Sequence, residues 1–380
     1  MTQLSKFYIW TVGLFLLGFF ITLNDDNLYH LFIFSVLIPF PLIVKDLWSN
    51  TSILNHPVLY WMLAFFLYMA IASLWTPVDQ IAFGFDKQFS RAFYILVFCI
   101  GIAYISERHP IAFERILTVL IFAASLVALA SILYWAYQYG FDFSKRLTGI
   151  TRAEHSIQGA AAFAVIYLMA LMRLYRTKSF WKILAYGFAV LICLSFIILA
   201  QTRGVLIAAA ASTLVFLLIK RDFKPVLILM LLAAGFLLIS SFWIDWSHLL
   251  ERLTRGMHER PLIWQYVWHE FLNHPWFGNG TLHDTEIKIN GRSVFHAHNI
   301  YLATLFHGGI VGLALYLAMV GSALYYAYKN STEEKYLFAF ITIIFASVAM
   351  LSDIGKVVLS PTDLWLYFWF PLGLVLTSKG

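Results

Sequence analysis

Of the chain's 380 residues 61% are hydrophobic and 18% aromatic, only 12% are charged, and the formal net charge is +6. That apolar content lies far above the roughly 45–50% of a soluble domain, and the long unbroken apolar runs argue against a membrane β-barrel, whose strands alternate. The basic residues are dispersed between these runs without a basic tail, which speaks against nucleic acid and for orientation in, and contact with, membrane lipids.

Apolar runs predict transmembrane helices near 7–23, 28–45, 57–75, 92–106, 116–136, 156–173, 180–200, 203–220, 224–243, 300–327, 335–351 and 364–378, each close to the roughly 20 residues that a bilayer span requires. The fold expected is an all-α polytopic membrane protein, a single bundle of about twelve helices over residues 1–380. One long loop, 244–299, is inserted between the ninth and tenth. Residues 7–23 read as a first span and not a cleaved signal, because Asn24-Asp25-Asp26 and a second apolar run follow them without a small-residue cleavage site. Cys99 and Cys193 both fall inside apolar runs and behave as small buried hydrophobes. With a cytoplasmic N-terminus, 14 of the 26 Lys and Arg lie inside and 12 outside. Five of the outer ones occupy the long loop, which can translocate regardless of charge. That loop is therefore expected on the periplasmic side of a bacterial inner membrane.

Three outer-side segments break the hydrophobic rhythm, and each carries arginine. Lys145 to Gln158 holds Arg146, Arg152, Glu154 and His155; a solvated loop with interfacial anchors is the plain alternative. Gln201-Thr202-Arg203-Gly204 is wedged between two apolar runs, so Arg203 must lie at or just below the membrane surface. Such a charge snorkels, or it faces a cavity and marks a substrate path. The third segment is the long loop itself. There Arg260-Pro261 opens a predicted helix with Leu262, Ile263, Tyr266, Val267 and Phe271 roughly on one side, an amphipathic element lying on the bundle or in the interface. Pro275, Gly278 and Gly280 stop it.

Ser293 to Leu313 then joins a polar segment to an apolar helix. It contains His296, His298, Asn299, His307, Gly308, Gly309 and Gly312. His298 suits a general base near neutral pH, although a histidine at a helix start is often structural. Zinc held by His296 and His298 with His283, Asp284 or His307 has no motif spacing to support it. His307 and the glycines read as close helix packing. No P-loop, dinucleotide glycine fingerprint or nucleophile elbow occurs. Guanidinium forks at 203 and 260, with Arg146 or Arg152 in support, suit a diphosphate.

These residues resemble the O-antigen ligase superfamily, which also contains O-antigen polymerases and O-linked oligosaccharyltransferases. His298-Asn299, nine residues, then Gly309-Ile310-Val311-Gly312 and Leu313 follow its His-Asn and Gly-x-x-Gly pattern. Thr202-Arg203-Gly204 at a span mouth and Arg260 followed by Trp264, Pro275, Gly278 and Gly280 are similar too. The specific match covers about 185–327; the N-terminal half resembles the family only in hydropathy and in the loop after Arg146. The resemblance implies an inverting glycosyltransferase without metal, ATP or other cofactor, taking a glycan from undecaprenyl diphosphate to a hydroxyl of lipid A-core. Arg203 and Arg260 would hold the diphosphate and His298 would deprotonate the acceptor. Arg146, Arg152, Asn299, His296, Trp264 and Gln201 are expected to line the substrates. A polymerase or a protein glycosyltransferase of the same superfamily is the nearest alternative. A transporter of lipid-linked glycans, from a different class, would need no essential histidine.

Overall fold

The computed structural model describes residues 3–49, 51–76, 84–151, 155–221, 260–282, 287–289, 292–294 and 296–377. α1 (Gln3–Ile21) is followed by α2 (Asp25–Phe32), capped by the Asn24 side chain, which runs through a π turn (Ile33–Leu37) towards α3 (Pro41–Ser49) and α4 (Thr51–Leu54). α5 (Pro57–Ile71) starts on a proline, where a missing N–H costs nothing, and ends in a 3-10 turn (Ala72–Trp75). Then come α6 (Phe85–Arg108), α7 (Pro110–Tyr139), α8 (Ser156–Arg176), α9 (Phe180–Leu199) and α10 (Arg203–Lys220). After α11 (Arg260–Asn273), strands β1 (Ile287–Ile289) and β2 (Arg292–Val294) pair antiparallel. α12 (Ile300–Lys329), α13 (Glu334–Ala349), a π turn (Trp365–Trp369) and α14 (Phe370–Val375) complete the chain.

Among the described residues, seven helices are long and apolar enough to cross a bilayer, and the α2–α3 pair, bent by 47°, makes an eighth if counted as one span. The protein is thus a multi-pass helical membrane protein. The predicted ninth span, 224–243, and the loop residues up to 259 lie outside the described residues. Elsewhere the helices outrun the apolar runs: α6 begins at Phe85 and not near 92, and α7 covers Pro110–Tyr139 and not 116–136. Hydropathy marks only the hydrocarbon core, whereas the helix continues through the headgroup layer. The fold is helical as expected, with a short β ribbon of two three-residue strands in the long loop.

α8 lies at the centre. Every residue from Gly159 to Met172 is buried, as expected for a helix apolar on all sides. α10 packs against α13, and Gly204 lets the start of α10 approach so closely that a Cβ there would collide with the Ser352 hydroxyl. At the opposite end of the bundle Arg173 pairs with Glu114 and Glu334, and Arg176 pairs with Glu334.

α12 holds the main departure from a smooth span. Gly309 has φ 63° and ψ −164°, so the helix is broken there. A break in lipid must return its freed polar groups to protein partners, and the segment after α11 does this. The N–H groups of Asn279 and Gly280 donate to the carbonyls of Phe306 and His307 at 2.7 and 3.1 Å, and those of Ile310 and Val311 donate to Pro275 and Trp276 at 2.8 and 3.3 Å. The Tyr68 hydroxyl donates to the Gly308 carbonyl at 2.6 Å. Of the glycines read as close helix packing, Gly308 and Gly312 pack against Tyr68 and Met69, whereas Gly309 opens the break into which the 275–280 loop is stitched. Because that loop follows α11, the stitch fixes α11 on α12.

Candidate functional site

Four segments meet at one end of the bundle: the α9–α10 turn, the start of α11, the residues leading into α12, and an irregular strap of residues 350–362 after α13. The strap is held by two buried tryptophans. The Trp365 indole N–H donates to the Leu359 carbonyl at 3.1 Å, and that of Trp369 donates to the Val357 carbonyl at 3.2 Å.

His298 has φ +49°, an uncommon conformation for a residue other than glycine. Its neighbours impose it. On one side, the Trp264 indole donates to the Ala297 carbonyl at 3.1 Å, and Ala297 is buried with Ile263, Val267, Ala303 and Phe306. On the other, the Asn299 side chain accepts from the N–H groups of Tyr301 and Leu302 at 2.9 and 3.2 Å, the N-cap of α12. The Ile300 N–H donates to the Met350 carbonyl at 3.0 Å. Held between two anchored residues, the imidazole is turned out with 29% of its side chain exposed and its Nδ1 3.5 Å from Asp353 Oδ1. That distance is longer than a formed hydrogen bond and short enough for an ion pair once the ring is protonated.

The His296 ring sits 3.8 Å from that of His298, centroid to centroid. The Cβ of His296 lies against Gly355, where an added Cβ would collide with it. Burial, with the neighbouring His298, pushes the His296 pKa below the usual histidine range, and Asp353 opposes this. A base held down in the folded state favours unfolding once acid protonates the unfolded chain. The stabilisation it leaves intact at neutral pH is lost as pH falls below the ordinary value of about 6.5. Thermal unfolding in nanodiscs should therefore show a melting temperature that declines from pH 7.5 to 5.5, with a shallower decline in His296→Asn.

Arg203 is the first residue of α10. Gln201 before it has φ +54° and is buried. Its side-chain amide donates to the Phe143 carbonyl at 2.7 Å, while Arg146 Nε donates to the Ala200 carbonyl at 3.1 Å. In this structure both predicted substrate contacts bind the carbonyl end of α9 and the loop before α8, and so fix the turn that presents Arg203. Arg260, at the start of α11, is half-buried. Burial pushes its guanidinium below the usual range, the Asp353 carboxylate opposes the shift and Arg203 adds to it. Arginine nevertheless stays charged. Arg260 thus shares an electrostatic neighbourhood with both Arg203 and Asp353, and two guanidiniums against one carboxylate leave a net positive charge suited to an anion.

Of the predicted set, the structure brings together Arg203, Arg260, His296 and His298. Trp264 and Asn299 shape the His298 backbone, and Arg152 lies outside the described residues. α11 buries Ile263, Val267 and Phe271, but Leu262 and Tyr266 are exposed, so its inner stripe is narrower than expected. His307 points away from the histidine pair, its Nδ1 2.9 Å from the Gly280 carbonyl oxygen. His283 and Asp284 are outside the described residues. Asp353 is not among the residues that the sequence singles out. Its available signal is Ser352-Asp353-Ile354-Gly355-Lys356, a fourth polar interruption at the same end of the bundle, which carries lysine in place of arginine.

A family model described as O-antigen ligase matches residues 188–317, a stretch that contains Arg203, Arg260 and His298 but not Asp353. A curated O-antigen ligase of Pseudomonas aeruginosa is 26% identical over 334 residues, covering 84% of this chain and 77% of its own length. With the turn at Arg203, the helix start at Arg260 and the capped His298-Asn299 pair in place, these matches make the chain similar to the O-antigen ligases over the segment that carries those residues.

Proposed function

We propose that the protein transfers a glycan from undecaprenyl diphosphate to a hydroxyl of lipid A-core, as an inverting glycosyltransferase of about twelve transmembrane helices working on the periplasmic face of the inner membrane. Similarity to the O-antigen ligases supports ligase or glycosyltransferase chemistry in general. The observation that carries the specific reading is the gathering of Arg203 and Arg260 around Asp353, beside an outward-turned His298.

In this mechanism the guanidiniums of Arg203 and Arg260 hold the diphosphate. His298 Nε2 takes the proton of the acceptor hydroxyl as its oxygen forms a bond to the anomeric carbon. The bond from that carbon to the phosphate oxygen breaks, and undecaprenyl diphosphate leaves with its electron pair stabilised by the arginines. A single displacement inverts the anomeric centre. Asp353 orients the imidazole through Nδ1 and stabilises the imidazolium that forms, a pairing that tightens when substrate fills the site. Gln201 and Arg146 position the Arg203 turn, and Trp264 and Asn299 position His298. No step uses a metal or ATP.

The test uses purified protein in nanodiscs with undecaprenyl-diphosphate glycan and lipid A-core, EDTA present and ATP absent. Arg260→Ala is expected to lower transfer by about 10²–10³-fold, the effect of removing one preorganised donor from developing charge. Arg260→Lys should fall between that variant and the wild type, because an ammonium cannot make the bidentate contact. Unchanged transfer in Arg260→Ala would overturn the mechanism. Glycan extension without transfer to lipid A-core would assign the protein to the polymerase branch.

A further inference from the structure

We infer that a polar pocket beside the reaction centre binds sugar units of a glycan substrate, so that the protein holds its saccharide along a track as well as at the diphosphate. This rests on the glycan-transfer reading above. Two cavities flank the first turns of α6. The smaller, about 20 Å³ and so room for little more than a water, is lined by Gln88, Thr304, His307, Gly355 and Lys356. It shares Gly355 with the surroundings of His296, whose Cβ lies against that glycine. The larger, about 350 Å³ and open to solvent, lies where Lys87, Arg91 and Tyr94 of α6 face Asp25, Asp26 and Tyr29 of α2. That volume is within the range of small-ligand sites.

The walls of the larger pocket follow from helix periodicity. Positions 87, 91 and 94 share one face of α6, and 25, 26 and 29 share the facing side of α2. The hydroxyls of Tyr29 and Tyr94 are 3.5 Å apart and their rings 6.1 Å. The third wall is Ser360 to Thr362. It belongs to the same strap that carries Asp353 and is pinned by Trp365 and Trp369. Eight residues of extended chain span at most about 29 Å, so the pocket and Asp353 lie within that distance on one held segment.

The chemistry differs from that of the reaction centre. Two carboxylates and two cations balance in the larger pocket, whereas Arg203 and Arg260 outnumber Asp353. A balanced set has no preference for a net anion such as a diphosphate. Carboxylate acceptors, cationic donors, the hydroxyls of Ser360 and Thr362 and two tyrosines together suit a ligand that donates and accepts through neighbouring hydroxyls and offers an apolar ring face, which is a saccharide. Such a saccharide could belong to the donor glycan or to the core oligosaccharide of the acceptor.

Saturation-transfer NMR on the nanodisc protein decides the point, with oligosaccharide released from the donor in one arm and core oligosaccharide released from the acceptor in the other. One of the two is expected to bind wild type and His298→Ala alike and to bind the rim variant Asp26→Asn/Lys87→Gln about tenfold more weakly; the arm that responds identifies the source. In transfer assays, the KM advantage of the full-length form of that substrate over a form trimmed of its outer sugars should shrink about tenfold in the rim variant. Equal binding to wild type and rim variant in both arms, or no binding to wild type in either, overturns the inference. Oligosaccharide binding that depends on Asp26 and Lys87 in a protein without transfer activity would uphold the pocket and refute the proposed reaction alone.

Discussion

Replacing His298 with alanine is expected to lower glycan transfer by about 10²–10⁴-fold, the usual contribution of a positioned general base, while donor binding stays near the wild-type value. The expectation rests on a division of tasks. The arginines that would hold the diphosphate come from α10 and α11, so removing the imidazole leaves them in place. Because proton removal belongs to the transition state, the loss should appear in kcat with little change in KM for the donor. Asp353→Asn should reduce kcat less, since the imidazole remains but loses the carboxylate that faces its Nδ1 at 3.5 Å. Steady-state transfer assays with separate titration of donor and acceptor check both. A His298→Ala variant with full kcat would remove the histidine from the mechanism.

Gly309→Ala is expected to cost the protein stability as well as activity. At φ 63° and ψ −164° the residue occupies a region that is essentially confined to glycine. Forcing an alanine there costs about 1–3 kcal/mol in backbone strain alone. The added Cβ would also collide with the Trp276 carbonyl, which is backbone and cannot swing aside. Relief would require the 275–280 loop to withdraw from the break, leaving the carbonyls of Phe306 and His307 without the N–H groups that now satisfy them. α11, and with it Arg260, would lose its attachment to α12. Gly321→Ala is the control, because nothing lies within 4 Å of its added Cβ. Melting temperature in nanodiscs and transfer rate should both fall for Gly309→Ala and stay near wild type for Gly321→Ala.

Local signals in the sequence were sufficient for several parts of the site. Arg203 stands at the mouth of a span because a polar turn interrupts two apolar runs. Arg260-Pro261 marks a helix start, and His298-Asn299 joins a polar segment to an apolar helix with a residue that caps it. Each is a boundary between chain that must be in hydrocarbon and chain that must not, and composition reports such boundaries directly. Asp353 has the same kind of boundary position but no distinguishing neighbours, so nothing local raises it above the other loop carboxylates. The tasks of Trp264, Gln201 and Arg146 were equally illegible. Whether an indole or a guanidinium meets a ligand or a backbone carbonyl depends on which segment lies opposite.

The sequence by itself determined that the chain is a multi-pass helical membrane protein, and it marked where helices begin and end and which boundaries carry arginine or histidine. Only the tertiary structure decided that Arg203, Arg260, His298 and Asp353 share one neighbourhood, that α12 breaks at Gly309, and that the 275–280 loop fills the break. The physical reason lies in the solvent. A bilayer is as apolar as the side chains facing it, so helix association rests on close packing and hydrogen bonding between surfaces and not on a hydrophobic stripe. Apolar runs therefore reveal that a segment spans without revealing which neighbour it meets.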